Sequence, residues 1–306
     1  MNIGLVGSWS FLPYTTSVSA AAEQLRFLEG LGIKTCWIPE GPGRDAITFS
    51  ALMLEETKSL CMATGIANIW LRDPETMVSG QRTLWDRFPE RFLLGLGVSH
   101  QPIVDRQGHH YEKPLTRMKE YLNAMEKTPW MGTELSRTPP TVLAALGDRM
   151  LELSRNQVQG AHPYLVPVSH TRHARKVLGD DTLLAPEQAA IYGREKSLLM
   201  KLAREHLARY LVLPNYLNNL KQLGFTDEDF EAGGSDRLVE ALYVMGDEEV
   251  IAERIHDHLA AGADHVALQL LGEPMMVFPE EAWKKLVPAL QRLEKTTFPR
   301  QPNPVI

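Results

Sequence analysis

The foremost candidates for chemistry in this chain are a serine and a histidine that come directly after a short apolar run. The run is Phe92-Leu93-Leu94-Gly95-Leu96, followed by Gly97-Val98-Ser99-His100. It reads as a fully buried strand, and Gly95 and Gly97 let a neighbouring group approach the backbone closely. Imidazole titrates near neutrality, so His100 suits general acid or base work, with the Ser99 hydroxyl beside it. In a competing reading the glycines serve packing and His100 only caps the next loop. Four further places carry usable groups. Glu40 ends Trp37-Ile38-Pro39-Glu40, and Asn68 lies in Ala67-Asn68-Ile69. His162 stands between Ala161 and Pro163, where a packed histidine competes with a catalytic one. Ser169 lies in Val168-Ser169-His170-Thr171, which opens a helix and can cradle a phosphate or supply an ordinary cap.

Spacing narrows the chemistry. The only His-x-His is His256-Asp257-His258 in a helical stretch, where a separation of two points the imidazoles apart, so no metal site is expected. A glycosidase needs two carboxylates across one site. Glu40 and Glu187 are the acids at strand ends, and the fourth strand ends without one. Ser99 and His100 are adjacent, which does not make a hydrogen-bonded dyad for nucleophilic catalysis. Amide, hydroxyl and imidazole groups on a partly aromatic rim suit a large organic cofactor of the flavin type. Asn68 can meet a ring edge, Ser99 can meet the ring or its side chain, and Trp9 and Trp70 can wall the pocket.

These residues share a position only if strands and helices alternate. Apolar runs give strands at Ile3–Val6, Ile33–Ile38, Leu60–Asn68, Phe92–Leu96, Thr141–Leu146, Gln159–Val166, Leu183–Ile191 and Asp264–Leu271. Helical faces at spacings of three and four lie between them, as in Leu115, Met118, Leu122 and Met125, with Ser19 as a cap for the first helix and Asp247 for a later one. Residues 194–245 read as helices only, which makes them an insertion before the eighth strand. The pattern predicts an α/β fold, a (β/α)8 TIM barrel forming a single domain over 1–306. In a barrel the C-terminal strand ends carry the site. An open doubly wound sheet would show three glycines after its first strand. Here that turn, Val6-Gly7-Ser8-Trp9-Ser10-Phe11, has one.

The chain has 306 residues, 44% of them hydrophobic, and a net charge of −6, which supports a large core and argues against nucleic acid as a partner. Cys36 and Cys61 lack Cys-x-x-Cys spacing and read as buried free thiols of a reducing cytoplasm. No apolar stretch approaches the roughly 18 residues of a membrane span.

Taken together, several pieces resemble the luciferase-like monooxygenase superfamily, in particular its branch of coenzyme F420-dependent oxidoreductases. They are Trp37-Ile38-Pro39-Glu40 with Gly43-Arg44-Asp45, Ala63-Thr64-Gly65-Ile66-Ala67-Asn68-Ile69-Trp70, and Arg91 through His100. Gly160-Ala161-His162-Pro163-Tyr164, Leu184-Ala185-Pro186-Glu187-Gln188, Leu213-Pro214-Asn215-Tyr216 and Gly262-Ala263-Asp264-His265-Val266 follow in order. The resemblance implies a deazaflavin, F420, at the barrel mouth, or FMN in the monooxygenase alternative. It also implies hydride transfer to or from a small-molecule substrate, and a homodimer. A barrel that binds cofactor without chemistry is the remaining alternative. His100 is the expected acid/base and Glu40 its orienting partner. Asn68, Ser99, Ala67, Ile69, His162 and Ser169 are expected around the cofactor, with a non-proline cis peptide near Ala67-Asn68-Ile69. Sugar-phosphate dehydrogenase relatives use a histidine at the second strand end and a glutamate after the fourth. Here Glu40 and His100 look exchanged and Val98 stands at the acid's place, so their substrate does not carry over.

Overall fold

The computed structural model describes residues 1–272, 274 and 277–306. Its strands are β1 (Val6–Trp9), β2 (Thr35–Ile38), β3 (Cys61–Thr64), β4 (Ala67–Asn68), β5 (Phe92–Gly97), β6 (Thr141–Leu143), β7 (Gly160–Ala161), β8 (Leu183–Leu184), β9 (Glu187–Tyr192), β10 (Tyr243–Gly246) and β11 (Val266–Leu271). Every strand pair in this sheet is parallel, in the order β10-β9-β11-β1-β2-β3-β5-β6-β7-β8, with β4 beside β5. β8 pairs with β7 and β9 with β11. Because β8 and β9 are halves of one run, the sheet closes through residues 183–192, and helices cover its outside. This is the (β/α)8 TIM-barrel fold.

The long strand runs of the sequence are broken where side chains or turns intervene. The third divides at Gly65-Ile66 and the seventh at Ala185-Pro186, since a proline nitrogen cannot join the ladder. The first strand begins at Val6 rather than Ile3, and its last residues Ser8 and Trp9 belong to the sheet. The fifth and sixth are shorter than their apolar runs. Ser17, not Ser19, caps the first long helix, accepting from Ala20 N at 3.2 Å. The expectation that 194–245 is helical throughout fails at its end. Tyr243–Gly246 forms β10 on the edge of β9 opposite β11, because its hydrophobic residues find an open ladder edge where the seventh strand has parted from the sixth.

Gly95 and Gly97 answer a packing need within the sheet. A Cβ on Gly95 would lie 1.9 Å from the Thr64 carbonyl oxygen, and one on Gly97 would lie 2.4 Å from Ile66 Cγ1. The Thr64 hydroxyl donates to Gly95 O and accepts from Gly95 N, both at 2.8 Å. The group that approaches these glycines closely is therefore the third strand.

The core is layered as the alternation requires. Leu25, Phe49, Met77, Phe92, Leu94 and Leu286 join the barrel wall to its helices. A second cluster, with Leu199, Leu207, Leu238, Tyr243 and Leu271, binds the insertion to the seventh and eighth strands. This second core anchors the helices Lys196–Leu207 and Pro214–Gln222 over the barrel mouth.

Candidate active site

Glu40 follows β2 and its side chain is turned in, 1% exposed. Its carboxylate is heavily engaged. Oε1 accepts from Ala46 N at 3.0 Å, and Oε2 accepts from Asn68 N at 2.9 Å and Arg72 Nη1 at 2.8 Å. Arg72 also pairs with Oε1 and with Asp45. Asp45 caps the helix Ala46–Glu56 through Thr48 N. One carboxylate thus ties the end of β2, a helix start and the end of the third strand together. None of its hydrogen bonds goes to His100.

Asn68 is held at both ends of its residue. Its backbone N–H is on Glu40, and its side-chain oxygen accepts from Trp70 N at 3.0 Å, a local turn that fixes the side chain. Ala67 pairs with Leu96, and Ile69 N donates to Gly97 O at 3.2 Å. Asn68, Ala67, Ile69 and Ser99 therefore lie together on the adjoining ends of β4 and β5. Ser99 has φ +58°, in the left-handed region, and Tyr111 Oη donates to its carbonyl at 3.5 Å. Trp70 Nε1 ties to Val98 O at 2.9 Å, which puts the indole on the outer side of this rim near Tyr111. The non-proline cis bond is Gly65–Ile66, two residues before the expected stretch 67–69.

His100 starts the short helix Gln101–Arg106 without supplying a side-chain cap. Its Nδ1 is buried and unpartnered, and its ring lies 5.6 Å from that of Tyr216. Burial pushes its pKa below the ordinary imidazole value, with the Asn215 side chain pulling the other way. The partners of His100 come from the insertion, a segment more than a hundred residues downstream.

His162 is buried, its ring stacked on Trp37 with centroids 4.2 Å apart. Nδ1–H donates to Ala185 O at 2.7 Å, and Nε2 faces the Gly65 Cα, where a Cβ would lie 2.9 Å away. Burial drives its pKa down to about 4, so the ring is a neutral packing unit under the third strand's break. Ser169 is exposed in the first turn of the helix Val168–Leu178, whose cap position is Pro167 with no side-chain cap bond. The Ser-cap reading is thereby corrected, because the helix begins one residue before Ser169. The two sites of the predicted set that stand apart are these: His162 lies inside the barrel and Ser169 on its outer rim.

The sequence reading missed the feature that fills the mouth. Rings run from Trp9 to Tyr164 (5.2 Å), Tyr164 to Tyr210 (5.4 Å), Tyr210 to Tyr216 (5.2 Å) and on to His100, with His206 beside Tyr210. Tyr164 Oη donates to Gln269 Oε1 at 3.0 Å, and the amide oxygen can only accept. The Tyr210 hydroxyl must then donate to Tyr164 across 2.7 Å. Trp9 Nε1, His206 Nε2, Gln269 Nε2 and Glu187 Oε1 are buried around this ladder without partners. Most buried polar atoms in proteins are paired, so four orphans against one aromatic cluster leave unmet hydrogen-bonding capacity concentrated there. A cavity of about 30 Å³ between the ends of β1 and β11, lined in part by Trp9, Phe11 and Gln269, reaches this cluster. The signal for Tyr164 and Tyr216 lay in the stretches Gly160–Tyr164 and Leu213–Tyr216, while nothing local pairs them with Gln269.

With this geometry in hand, comparison places the chain. The sequence model for the luciferase-like monooxygenase family matches residues 1–179, and the chain belongs to that family. It is 28% identical over 176 residues to a Mycobacterium tuberculosis protein named as a coenzyme F420-dependent oxidoreductase, an alignment covering 57% of this chain and 48% of that one. The chain spans about half the length of the curated relatives it matches. Among solved structures it resembles an F420-dependent secondary alcohol dehydrogenase bound to an F420-acetone adduct, at a TM-score of 0.75 and 14% identity, covering 95% of this chain and 99% of that one. It also resembles the oxygenating constituent of 3,6-diketocamphane monooxygenase from Pseudomonas putida in complex with FMN, at 0.69 and 14%, covering 98% and 100%. Among the described residues no helix is long and apolar enough to cross a membrane, and no cluster of side chains has the makings of a metal site.

Proposed function

We propose that this chain is an oxidoreductase that transfers a hydride between a deazaflavin of the F420 type and a small organic substrate. The observation that carries the reading is the aromatic ladder at the strand ends, with unpaired buried donors and acceptors on the residues of and around it. Such a surface would suit a tricyclic ring, the aromatic side chains offering it flat faces and the unpaired Gln269 amide a donor. When bound, the deazaflavin would supply two-electron hydride chemistry. The similarity to F420-dependent relatives supports this choice.

In this reading Asn68, Ala67, Ile69 and Ser99 line the ring from the adjoining ends of β4 and β5, and His162 supports the third strand beneath them. The helix start at Val168–Ser169 offers backbone N–H groups without a side-chain cap, which suits a phosphate. His100 is the acid/base. Burial keeps it neutral at physiological pH, so it is ready to accept a proton. Glu40 acts by position, holding Asn68 N–H and the helix start through its pairing with Arg72. The protein works as a cytoplasmic homodimer.

The second reading uses FMN with the same mouth, supported by the likeness to an FMN-bound monooxygenase. Titrating the purified protein separately with F420 and with FMN, and following each visible spectrum, decides between them. A perturbed F420 spectrum at micromolar protein with an unperturbed FMN spectrum is the expected result. The reverse replaces the deazaflavin with FMN, and no change in either refutes both.

A further inference from the structure

Glu187 is a second buried carboxyl, and its surroundings are the opposite of those of Glu40. It opens β9 just beyond the break in the seventh strand, with its backbone N–H on Pro163 O at 2.8 Å. The residue is 1% exposed. Oε2 accepts one hydrogen bond, from Leu165 N at 2.9 Å, and Leu165 takes a left-handed φ of +55° in the turn that presents this N–H. Oε1 is buried with no partner. Glu40 has an arginine and two backbone donors. Among the described residues Glu187 has no ion pair.

A carboxylate in such a place would leave most of its four lone-pair positions unmet, at the cost of desolvating a full charge. Keeping the proton on removes that cost, and it turns Oε1 from an unmet acceptor into a donor. The groups facing Glu187 leave it in that state. They are Tyr164 from the turn after β7, Tyr210 and Tyr216 from the insertion, and Tyr243 from β10, all held neutral by burial. His206, behind Tyr210 and Tyr243, is also neutral, pushed down to about 3 by burial. Arg209, the cation near this cluster, is exposed and acts on Tyr210, Tyr243 and His206. Burial raises the Glu187 carboxyl itself to about 8, against the single opposing bond from Leu165. The hydroxyl protons of Tyr164 and Tyr210 are already committed along the chain to Gln269, so neither can serve as the acid.

We infer that Glu187 is a second proton donor of the mouth, beside His100, its free Oε1 carrying a hydrogen for an acceptor atom of the substrate, which suits a carbonyl or C=N compound. The inference rests on the oxidoreductase reading above. In the reductive direction a reduced deazaflavin gives up a hydride, two electrons and one proton's worth of hydrogen, to the carbonyl carbon. The C=O π pair moves to oxygen. The Glu187 O–H bond breaks, an O–H bond forms on the product, and the carboxylate regains its proton from water. The deazaflavin is oxidised and the carbonyl is reduced to an alcohol.

The first test needs no cofactor. Infrared spectra of the whole protein at pH 6.5 are expected to show a protonated-carboxyl C=O stretch that disappears in Glu187→Gln and fades as pH rises through about 8. If wild type and variant give the same spectrum, Glu187 is ionised and the inference falls. The second test uses F420 and, as a carbonyl probe, cyclohexanone. Glu187→Gln should keep its affinity for F420 and lose about 10²-fold or more in kcat. Glu187→Asp should restore part of it, and the wild-type rate should decline above about pH 8. Circular dichroism melts of both variants establish that they fold. A Glu187→Gln enzyme with wild-type kcat and pH profile makes the carboxyl structural and overturns the inference, as does a wild type that binds F420 yet reduces neither ketones nor imines. If the infrared band is present but F420 does not bind, the oxidoreductase reading is what has failed, and the substrate assignment goes with it.

Discussion

Replacing Arg72 by methionine should destabilise the protein severely and blunt cofactor binding without touching His100. Arg72 and Glu40 are both withdrawn from solvent, their side chains 10% and 1% exposed. Methionine keeps the apolar stem of the arginine but leaves the Glu40 charge with only the N–H groups of Ala46 and Asn68. Removing one partner of a buried pair costs roughly 3–5 kcal/mol because the remaining charge stays desolvated. The two surviving bonds put the expected cost at the lower end, about 3 kcal/mol. Glu40→Gln should cost less, about 1–2 kcal/mol, since no charge is stranded next to an empty partner and Arg72 keeps Asp45. In the double variant the orphaned charge is gone, so the two effects should fall short of additivity by about 2 kcal/mol. Urea denaturation followed by circular dichroism measures all three. The affinity for F420 should fall in each variant as the end of the third strand loosens, while the His100 titration, followed by NMR, stays where it is. A cost below about 1 kcal/mol for Arg72→Met, or strict additivity, would refute the clamp. A shift of the His100 titration in Glu40→Gln would restore a direct partnership between those two residues.

The buried imidazoles and Glu187 give stability a pH optimum at about 7. His162 and His265 are pushed down to about 4, and His206 and His258 to about 3, in each case chiefly by burial. Their folded pKa values lie below the unfolded ones, so the unfolded chain gains protons as pH falls below about 6.5 and stability is lost. Glu187 is raised, so its contribution is present at low pH and lost as pH rises toward about 8. Between about pH 5 and 6 the four histidines outweigh the one carboxyl by about three protons, a loss of about 4 kcal/mol per pH unit on acidification. Above about pH 7 the slope reverses, to about 0.5 kcal/mol lost per unit on alkalinisation, because the remaining histidine protons of the unfolded chain offset part of the Glu187 proton. Urea midpoints across pH check both limbs, and Glu187→Gln should remove the alkaline limb and steepen the acid one by about 1.4 kcal/mol per unit. Separately, His100→Ala should lower turnover by about 10²-fold while F420 still binds. Steady-state rates and an F420 titration on the same preparation check this, and unchanged turnover removes His100 from the chemistry.

The barrel was legible because its signals are local. Apolar runs of four to six residues alternate with helical faces, and each strand is specified by neighbours in sequence. Strand lengths were less legible. Gln159–Val166 is apolar enough for a full strand, yet only Gly160–Ala161 pairs, because His162 and Pro163 turn the chain and a proline nitrogen cannot extend the ladder. Tyr243–Gly246 carries no periodicity that separates a strand from the end of a helix. Its conformation is decided by the free edge of β9, a contact about fifty residues away in sequence.

The candidate site divides along the same line. Asn68, Ser99 and His100 could be found as residues just past strands, since position in a barrel follows from strand order. Their partners could not. Glu40 and His100 were paired on chemical complementarity, but a buried carboxylate is claimed by whichever donors reach it, and Arg72, Ala46 and Asn68 reach Glu40 first. His100 instead meets Asn215 and Tyr216, whose positions depend on how the insertion packs on the seventh and eighth strands. The contrast between the two glutamates follows from the same accounting. Glu40 and Glu187 are both acids at strand ends with buried carboxyls, and the sequence pointed to Glu40 alone as a site residue. Two backbone N–H groups and a guanidinium fix the first as a structural anchor. One backbone N–H leaves the second as an acid with a proton to give. What separates them is the number of donors that the fold brings within reach, so the count of hydrogen-bond partners, more than residue type or strand position, is what divides scaffold from chemistry in this mouth.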